Sequence, residues 1–145
     1  MKHLANCDAI DFLRQTNKIR KSVEGWLKAT KIMDIRKNMP KLDPITDDMD
    51  EAQKAKITEK NRIKTKEQIK KNMSAILDAA LDENAEKTLE VLALMCFVEP
   101  QDANSHKATE YIKAFGEMIA DEDVLDFFTS LMRLEQRGIL DISSL

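Results

Sequence analysis

The sequence predicts an all-α protein, and three observations point to it. Three Gly and three Pro among 145 residues are too few for the tight turns of a sheet protein. Aromatic residues make up only 5% of the chain, although strands are enriched in them. Apolar residues recur at helical spacing in several segments. At this length we predict a single domain, a compact helical bundle with an N-terminal helix and a long charged connecting helix.

The N-terminal segment, residues 1–40, is predicted to begin its first helix at Asp8. Aspartate is a favoured N-cap, and Asp11 places a second carboxylate near the exposed N–H groups of the first turn. A shorter helix from about Thr30 is predicted to stop before Pro40, because proline disfavours helical backbone in the residue before it. The apolar face of the first helix consists of Phe12, Leu13, Ile19, Val23, Trp26 and Leu27.

Residues 41–68 are predicted to be a linker followed by a charged helix. Asp47 or Asp48 can cap that helix, and residues 49–81 contain neither Gly nor Pro. Its first part is crowded with charge and is predicted to be exposed. From residue 69 onward an apolar face is predicted to pack, and it consists of Ile69, Met73, Ile76, Leu77, Ala80 and Leu81.

Residues 69–138 are predicted to form the packed bundle. Asn84, Ser105 and Asp121 are the predicted helix starts, Gly138 is a predicted C-terminal cap, and residues 139–145 are a tail. The apolar run from Val91 to Val98 is predicted to be the central helix, closed by Glu99 and Pro100. The stretch "HKATEYIKAFGEMIA" is predicted to form one apolar stripe, which consists of Ala108, Tyr111, Ile112, Phe115, Met118 and Ile119.

The charge is unevenly distributed along the chain. Residues 1–73 contain 18 Lys/Arg and 11 Asp/Glu, a net charge of +7, whereas residues 74–145 contain 5 and 15, a net charge of −10. Opposite charge in the two halves predicts a homo-oligomer assembled through head-to-tail contacts.

The basic stretch of residues 54–71 supports an alternative function. Its positive side chains, enough to neutralise several phosphates, are Lys54, Lys56, Lys60, Arg62, Lys64, Lys66, Lys70 and Lys71. A small helical nucleic-acid-binding or regulatory protein is therefore the second hypothesis. Lysine predominates over arginine, however, and no aromatic residue is interleaved for base stacking.

The sequence offers little for catalysis, cofactors or metal binding, so we do not expect an enzyme. It has only two histidines, His3 and His106, and it lacks a Gly-rich phosphate loop and paired metal-ligand spacing. Asp102, Ser105 and His106 are neighbours in sequence, which fits helix capping better than a catalytic triad. No apolar run approaches the roughly 20 residues of a membrane helix, and the start lacks a signal-peptide core. We therefore expect a cytoplasmic protein.

Three stretches resemble the tail assembly chaperones of long-tailed phages and prophages of Gram-positive hosts. They are "DFLRQTNKIRKSVEGWLKATKIMDIRK", "NMSAILDAALDENAEKTLEVLALMCFVEP" and "DFFTSLMRL". The resemblance implies a helical protein that binds and solubilises the tape measure protein and helps recruit tail tube subunits in the host cytoplasm. It also implies an oligomer, absence from the finished virion and no catalytic residue.

A chaperone for a helical client needs apolar grooves, and methionine-rich surfaces adapt to varied partners. The candidate partner-binding residues are Met95, Phe115, Met118, Phe127 and Met132. For each of them taken singly, a place in the core is the favoured interpretation.

Overall fold

A computed structural model describes residues 1–137, apart from the side chains of Leu131, Met132, Glu135 and Gln136. Within that range the protein is helical and contains no strand, which confirms the all-α prediction. The α-helices are α1 Ala9–Thr30, α2 Ile32–Arg36, α3 Glu51–Leu77, α4 Ala85–Met95, α5 Ala108–Ala120 and α6 Glu122–Gln136. A π-helical turn, Asp78–Glu83, follows α3, and a 3-10 turn, Pro100–Ser105, precedes α5. The predicted cap at Gly138 and the tail lie outside the described residues.

Contacts divide the chain into two units rather than gathering residues 69–138 into one bundle. The discontinuous unit consists of Met1–Ala29 and of the chain from Asn84 onward, and the inserted unit is Thr30–Glu83. The predicted boundary at residue 69 differs because residues 69–83 make their contacts within the inserted unit. The expected packed face forms only in part. Ala80 is buried and Ile76 is half-buried, whereas Ile69, Met73 and Leu77 are about half exposed.

The core of the discontinuous unit consists of two apolar clusters that share α4. Adjacent residues of this helix, Ala93 and Leu94, belong to different clusters because successive side chains point about 100° apart. One cluster is Ala93, Cys96, Ala103, Tyr111 and Ala114, and the other is Leu4, Ile19, Leu94 and Met118. The second half of α4 is therefore apolar on more than one side and joins the two clusters.

Helix α4 ends at Met95, earlier than the predicted stop at Glu99 and Pro100. The N–H of Val98 donates to the carbonyl of Ala93 over 2.9 Å, and the N–H of Phe97 donates to that of Leu94 over 3.2 Å. These two bonds form a Schellman motif, in which the C′ residue usually is glycine. Here Phe97 occupies that position with φ 58°, a left-handed conformation that is strained for a bulky side chain.

The N-terminal residues are fixed to the discontinuous unit. Leu4 lies in the core, and His3 is buried with its Nε2 2.7 Å from a carboxylate oxygen of Glu117 in α5. The N–H of Ala5 donates to Nδ1 of the same ring over 3.2 Å, so the neutral imidazole carries its proton on Nε2 and donates it to Glu117. Farther along, the buried side chain of Gln15 donates to the carbonyl of Leu94, which joins α1 to α4.

In the inserted unit, residues 38–43 lie along α3 and are named the strap. The side-chain amide of Asn61 accepts from the N–H of Asp43 over 2.9 Å and donates to its carbonyl over 3.0 Å. Asn72 donates to the carbonyl of Asn38 over 2.7 Å. Five residues of extended chain span roughly 17 Å at about 3.3 Å each, and eleven helical residues span the same length at 1.5 Å each. An antiparallel strap therefore keeps in register with α3 between these two asparagines.

Some of the helices begin at the residues that the sequence predicts, and others do not. Asp8 and Asp121 cap α1 and α6, each accepting from the backbone N–H three residues later over 2.8 and 3.0 Å. Helix α3 is capped by Asp50, not by Asp47 or Asp48, because Gln53 completes a reciprocal capping box with Asp50. Helix α5 starts at Ala108 rather than after Ser105, which belongs to the 3-10 turn.

Candidate protein-binding surface

The basic residues of α3 fall into two groups. Four have acidic neighbours: Lys60 and Lys64 lie 3.4 and 3.2 Å from the carboxylate of Asp43, Arg62 lies 2.6 Å from Glu59, and Lys54 lies 3.9 Å from Glu51. The other four, Lys56, Lys66, Lys70 and Lys71, are exposed and make no ion pair with any described residue. Half of the predicted charged surface is therefore engaged inside the inserted unit.

The Asp43 carboxylate links the strap to two of these lysines. The hydrogen bonds from Lys64 and Lys60 hold the pKa of Asp43 below its usual value. The carboxylate therefore stays charged wherever the lysines are charged at ordinary pH, and it keeps both ammonium groups on the strap side of α3. Lys66 and Lys70 are left on the solvent side.

Along its solvent side, α3 presents basic residues first and apolar residues after them. Arg62, Lys66 and Lys70 recur every four residues and line, with Ile69, a shallow hollow of about 620 Å³. The apolar residues continue the same side of the helix and are named the α3 stripe: Ile69, Met73 and Leu77, which are 53, 53 and 48% exposed. Leu81, in the π-helical turn, is 63% exposed.

The side of α3 that faces the strap is polar, and this explains the orientation of the helix. Asn61 and Asn72 bind the strap, and Gln68, one turn before Asn72, donates to the side-chain oxygen of Asn72 over 2.9 Å. A helix with a polar inner side held by hydrogen bonds leaves its apolar residues to solvent. Sequence reasoning predicted the reverse, since it ranked the apolar residues as the packed face and did not use the amides as a packing signal.

The five candidate partner-binding residues have different surroundings. Met118 is 3% exposed and belongs to the core, so it is not available at the surface. Met95 packs partly buried against the same cluster. The ring of Phe127 lies edge-on to those of Phe12 and Phe128, with centroids 4.9 and 5.5 Å apart. Phe115 is 39% exposed, and the side chain of Met132 lies outside the described residues.

Helix α5 has two apolar sides, where the sequence predicted a single inward stripe. Tyr111, Ala114 and Met118 are buried, whereas Ile112 and Ile119 are 61 and 51% exposed together with Phe115. The exposed pair was missed because the apolar residues of α5 were assigned to one stripe. Ile112 and Ile119 lie about 100° around the helix from the buried residues, and this angle was the available signal.

In the described part of the chain, the side chains that could take part in catalysis or metal binding do not come together in one site. Nδ1 of His106 lies 3.3 Å from the carboxylate of Glu110. Burial raises the pKa of the Cys96 thiol to about 11, so it is protonated at neutral pH. Among residues 1–137, no group of three or more His, Cys, Asp or Glu is placed to hold a metal ion. No helix in the same range is long and apolar enough to cross a membrane.

Comparisons with protein-family models, with curated proteins and with solved structures gave no match to this chain.

Proposed function

We propose that this chain is a non-enzymatic assembly chaperone for phage tails, acting in the cytoplasm of the bacterial host. Its client in this proposal is the tape measure protein, which it keeps soluble while tail tube subunits are recruited. The resemblance of three sequence stretches to tail assembly chaperones supports the identity of the client. The exposed α3 stripe supports the mode of action.

The α3 stripe is the observation that carries the proposal. Ile69, Met73 and Leu77 recur every four residues on a helix of 27 residues, so they form a continuous apolar line about half exposed. Covering a large apolar side chain with a partner contributes about 1.5–3 kcal/mol at full burial. An amphipathic client helix lying in the hollow beside this line would cover all three.

The basic residues beside the stripe add a preference for the sign of charge of the client. Lys66 and Lys70 are exposed and lie next to Ile69 along the hollow. Acidic residues flanking the apolar side of a client helix would meet these ammonium groups, which steers association and fixes the register of the two helices. A partner with an acidic, amphipathic helix therefore fits this surface best.

Nucleic acid fits the same surface less well. Lys60, Arg62 and Lys64 are engaged by acidic neighbours, and a phosphate backbone gains nothing from an apolar line beside it. The alternative predicts salt-sensitive DNA binding that is lost when Lys56, Lys66, Lys70 and Lys71 become Gln. The assembly proposal predicts no such binding.

Head-to-tail self-association stays a prediction. The net charges of the two units support it less than the net charges of the two sequence halves do. Counted by unit, the inserted unit contains 12 Lys/Arg and 11 Asp/Glu, a net charge of +1. The discontinuous unit contains 11 and 15, a net charge of −4. The opposite charges of the sequence halves are thus mostly mixed within each unit.

Co-expression with the tape measure protein tests the proposal. The change is Ile69→Gln, Met73→Gln and Leu77→Gln in one variant, which keeps good helix formers at exposed positions. We expect the wild type to keep the client in the soluble fraction and the variant to lose this effect, since the apolar contact area is gone. The measurement is the amount of client in the supernatant after lysis.

The matched control is Ile10→Gln with Leu13→Gln, which removes two apolar residues of α1 that are each 61% exposed. This control is expected to solubilise the client like the wild type. Equal loss in both variants would show a general effect of surface hydrophobicity. A soluble client with the triple variant would contradict the assignment of the α3 stripe.

A further inference from the structure

One exposed side of α5, next to the side that faces the core, carries no charged residue. It consists of Ala108, Ile112, Phe115, Gly116 and Ile119, all exposed, and is named the α5 face. The three charged residues of the helix, Glu110, Lys113 and Glu117, lie on another side, at positions spaced by three and four residues. A charged residue would keep such a face in water, and α5 has none there.

Gly116 lies in the middle of this face, and no contact with the described residues requires a glycine there. A Cβ added at Gly116 would meet no atom of the described residues within 4 Å, and its backbone is ordinary helix without positive φ. Alanine there would favour the helix by about 1 kcal/mol relative to glycine. A glycine on an exposed helix side does, however, let a second backbone or a large side chain approach closely.

Two copies of the α5 face are complementary when a two-fold axis relates them. Ile112 and Ile119 are equidistant in sequence from the midpoint between Phe115 and Gly116. If two α5 helices pack antiparallel about a two-fold axis at this midpoint, Ile112 meets the partner's Ile119, and Phe115 meets the partner's Gly116. The ring of Phe115, 39% exposed, then covers the notch at glycine, twice by symmetry.

We propose that the α5 face is the contact of a symmetric dimer of this chain, with the two α5 helices antiparallel. The charges at the ends of the helix agree with this direction. Lys107 precedes α5, and Glu122 and Asp123 follow it, so Lys107 lies near the acidic residues of the partner. Glu110, in the first turn, accepts from the N–H of Lys107 and lies outside the α5 face. Antiparallel packing also places the positive N-terminal end of each helix dipole beside the negative C-terminal end of the other.

The dimer goes beyond the proposed chaperone function, because it needs no client and uses a different helix from the α3 stripe. One helix side per copy is smaller than the about 800 Å² per partner of a standard interface. We therefore expect a dissociation constant in the micromolar range. An isologous contact also closes on itself and gives dimers rather than filaments.

Sedimentation of the full chain over a range of concentrations tests the dimer, with Gly116→Ala compared against Gly25→Ala. Gly25, in α1, is the matched control, because a Cβ there also meets no atom within 4 Å. Both variants are expected to raise the stability of the dilute chain, since alanine favours a helix. Only Gly116→Ala is expected to weaken the dimer, by roughly tenfold, because the methyl group fills the notch that takes Phe115.

Cross-linking tests the direction of the helices, in chains in which Cys7 is replaced by serine. A mixture of the Ile112→Cys and Ile119→Cys variants is expected to give disulfide-linked dimers that contain one chain of each. Each variant alone is expected to give few, because the two-fold axis lies between these positions.

Three results would overturn the dimer. One is a monomer at all concentrations up to several hundred micromolar, far above the expected constant. Another is a dimer that Gly116→Ala and Gly25→Ala affect equally. The third is a dimer that dissociates fully at about 1 M salt, where charge contacts are screened, since that result favours the head-to-tail arrangement.

Discussion

Replacing Tyr111 with alanine is expected to lower the free energy of unfolding of the discontinuous unit by about 3–5 kcal/mol. Tyr111 is 0% exposed and is the only large side chain among the described residues that is fully buried. Its ring fills the cluster between α4 and α5, and its hydroxyl donates to the carbonyl of Ala103 over 2.7 Å. Burial also raises the pKa of this hydroxyl, which keeps it a donor at all ordinary pH values.

Tyr111→Phe separates the two contributions of this residue. It keeps the ring and leaves the carbonyl of Ala103 without its donor, which costs about 1–3 kcal/mol. Trp26, the only tryptophan, belongs to the discontinuous unit, so its fluorescence in a urea titration reports this unfolding. The control is Ile112→Ala, the next residue on the same helix but 61% exposed, with an expected change within about 0.5 kcal/mol. Similar losses for Tyr111→Ala and Ile112→Ala would contradict the burial pattern of α5.

Asn61→Ala is expected to release the strap from α3 without unfolding the discontinuous unit. The variant removes both hydrogen bonds that Asn61 makes with the backbone of Asp43. At about 1 kcal/mol each, their loss should make exchange of the Asp43 amide hydrogen roughly 10 to 30 times faster. Hydrogen exchange followed by NMR measures this amide directly.

The control for the strap is Glu67→Ala, an exposed position of α3 between Asn61 and Asn72. It slightly favours the helix and should leave exchange at Asp43 unchanged. The urea transition reported by Trp26 should be the same in both variants, because Trp26 lies in the other unit. Unchanged exchange in Asn61→Ala would mean that the lysines alone hold the strap through Asp43.

The sequence was sufficient for the fold class and for most helices, because these depend on local chemistry. The scarcity of Gly, Pro and aromatics, the apolar spacing and the caps at Asp8 and Asp121 act within a few residues of chain. The end of α4 was predicted too late, because a Schellman motif with Phe97 at positive φ is rare. Capping by Asp50 was missed because three neighbouring aspartates compete, and only the reciprocal bond with Gln53 distinguishes them.

The candidate surface was harder to predict, because it depends on which side of α3 packs against the rest of the chain and which side is left to solvent. Apolar spacing alone assigned Ile69, Met73 and Leu77 to the core, whereas the structure packs the amides of Asn61 and Asn72 instead. The amides of Asn61 and Asn72 bind strap residues that lie 18 and 34 places earlier in the chain. Such long-range hydrogen bonding leaves no periodic pattern in the sequence.

The most direct test of the central claim, that the α3 stripe binds a helical client, is the affinity of the purified chain for the tape measure protein. The probe is an amphipathic, acidic helical segment of that protein, titrated by calorimetry against the wild type and against the Ile69→Gln, Met73→Gln, Leu77→Gln variant. We predict that the variant binds at least about a hundredfold more weakly, since removing three contact side chains costs about 1 kcal/mol or more each. Equal affinity of the two proteins for the segment would contradict the claim.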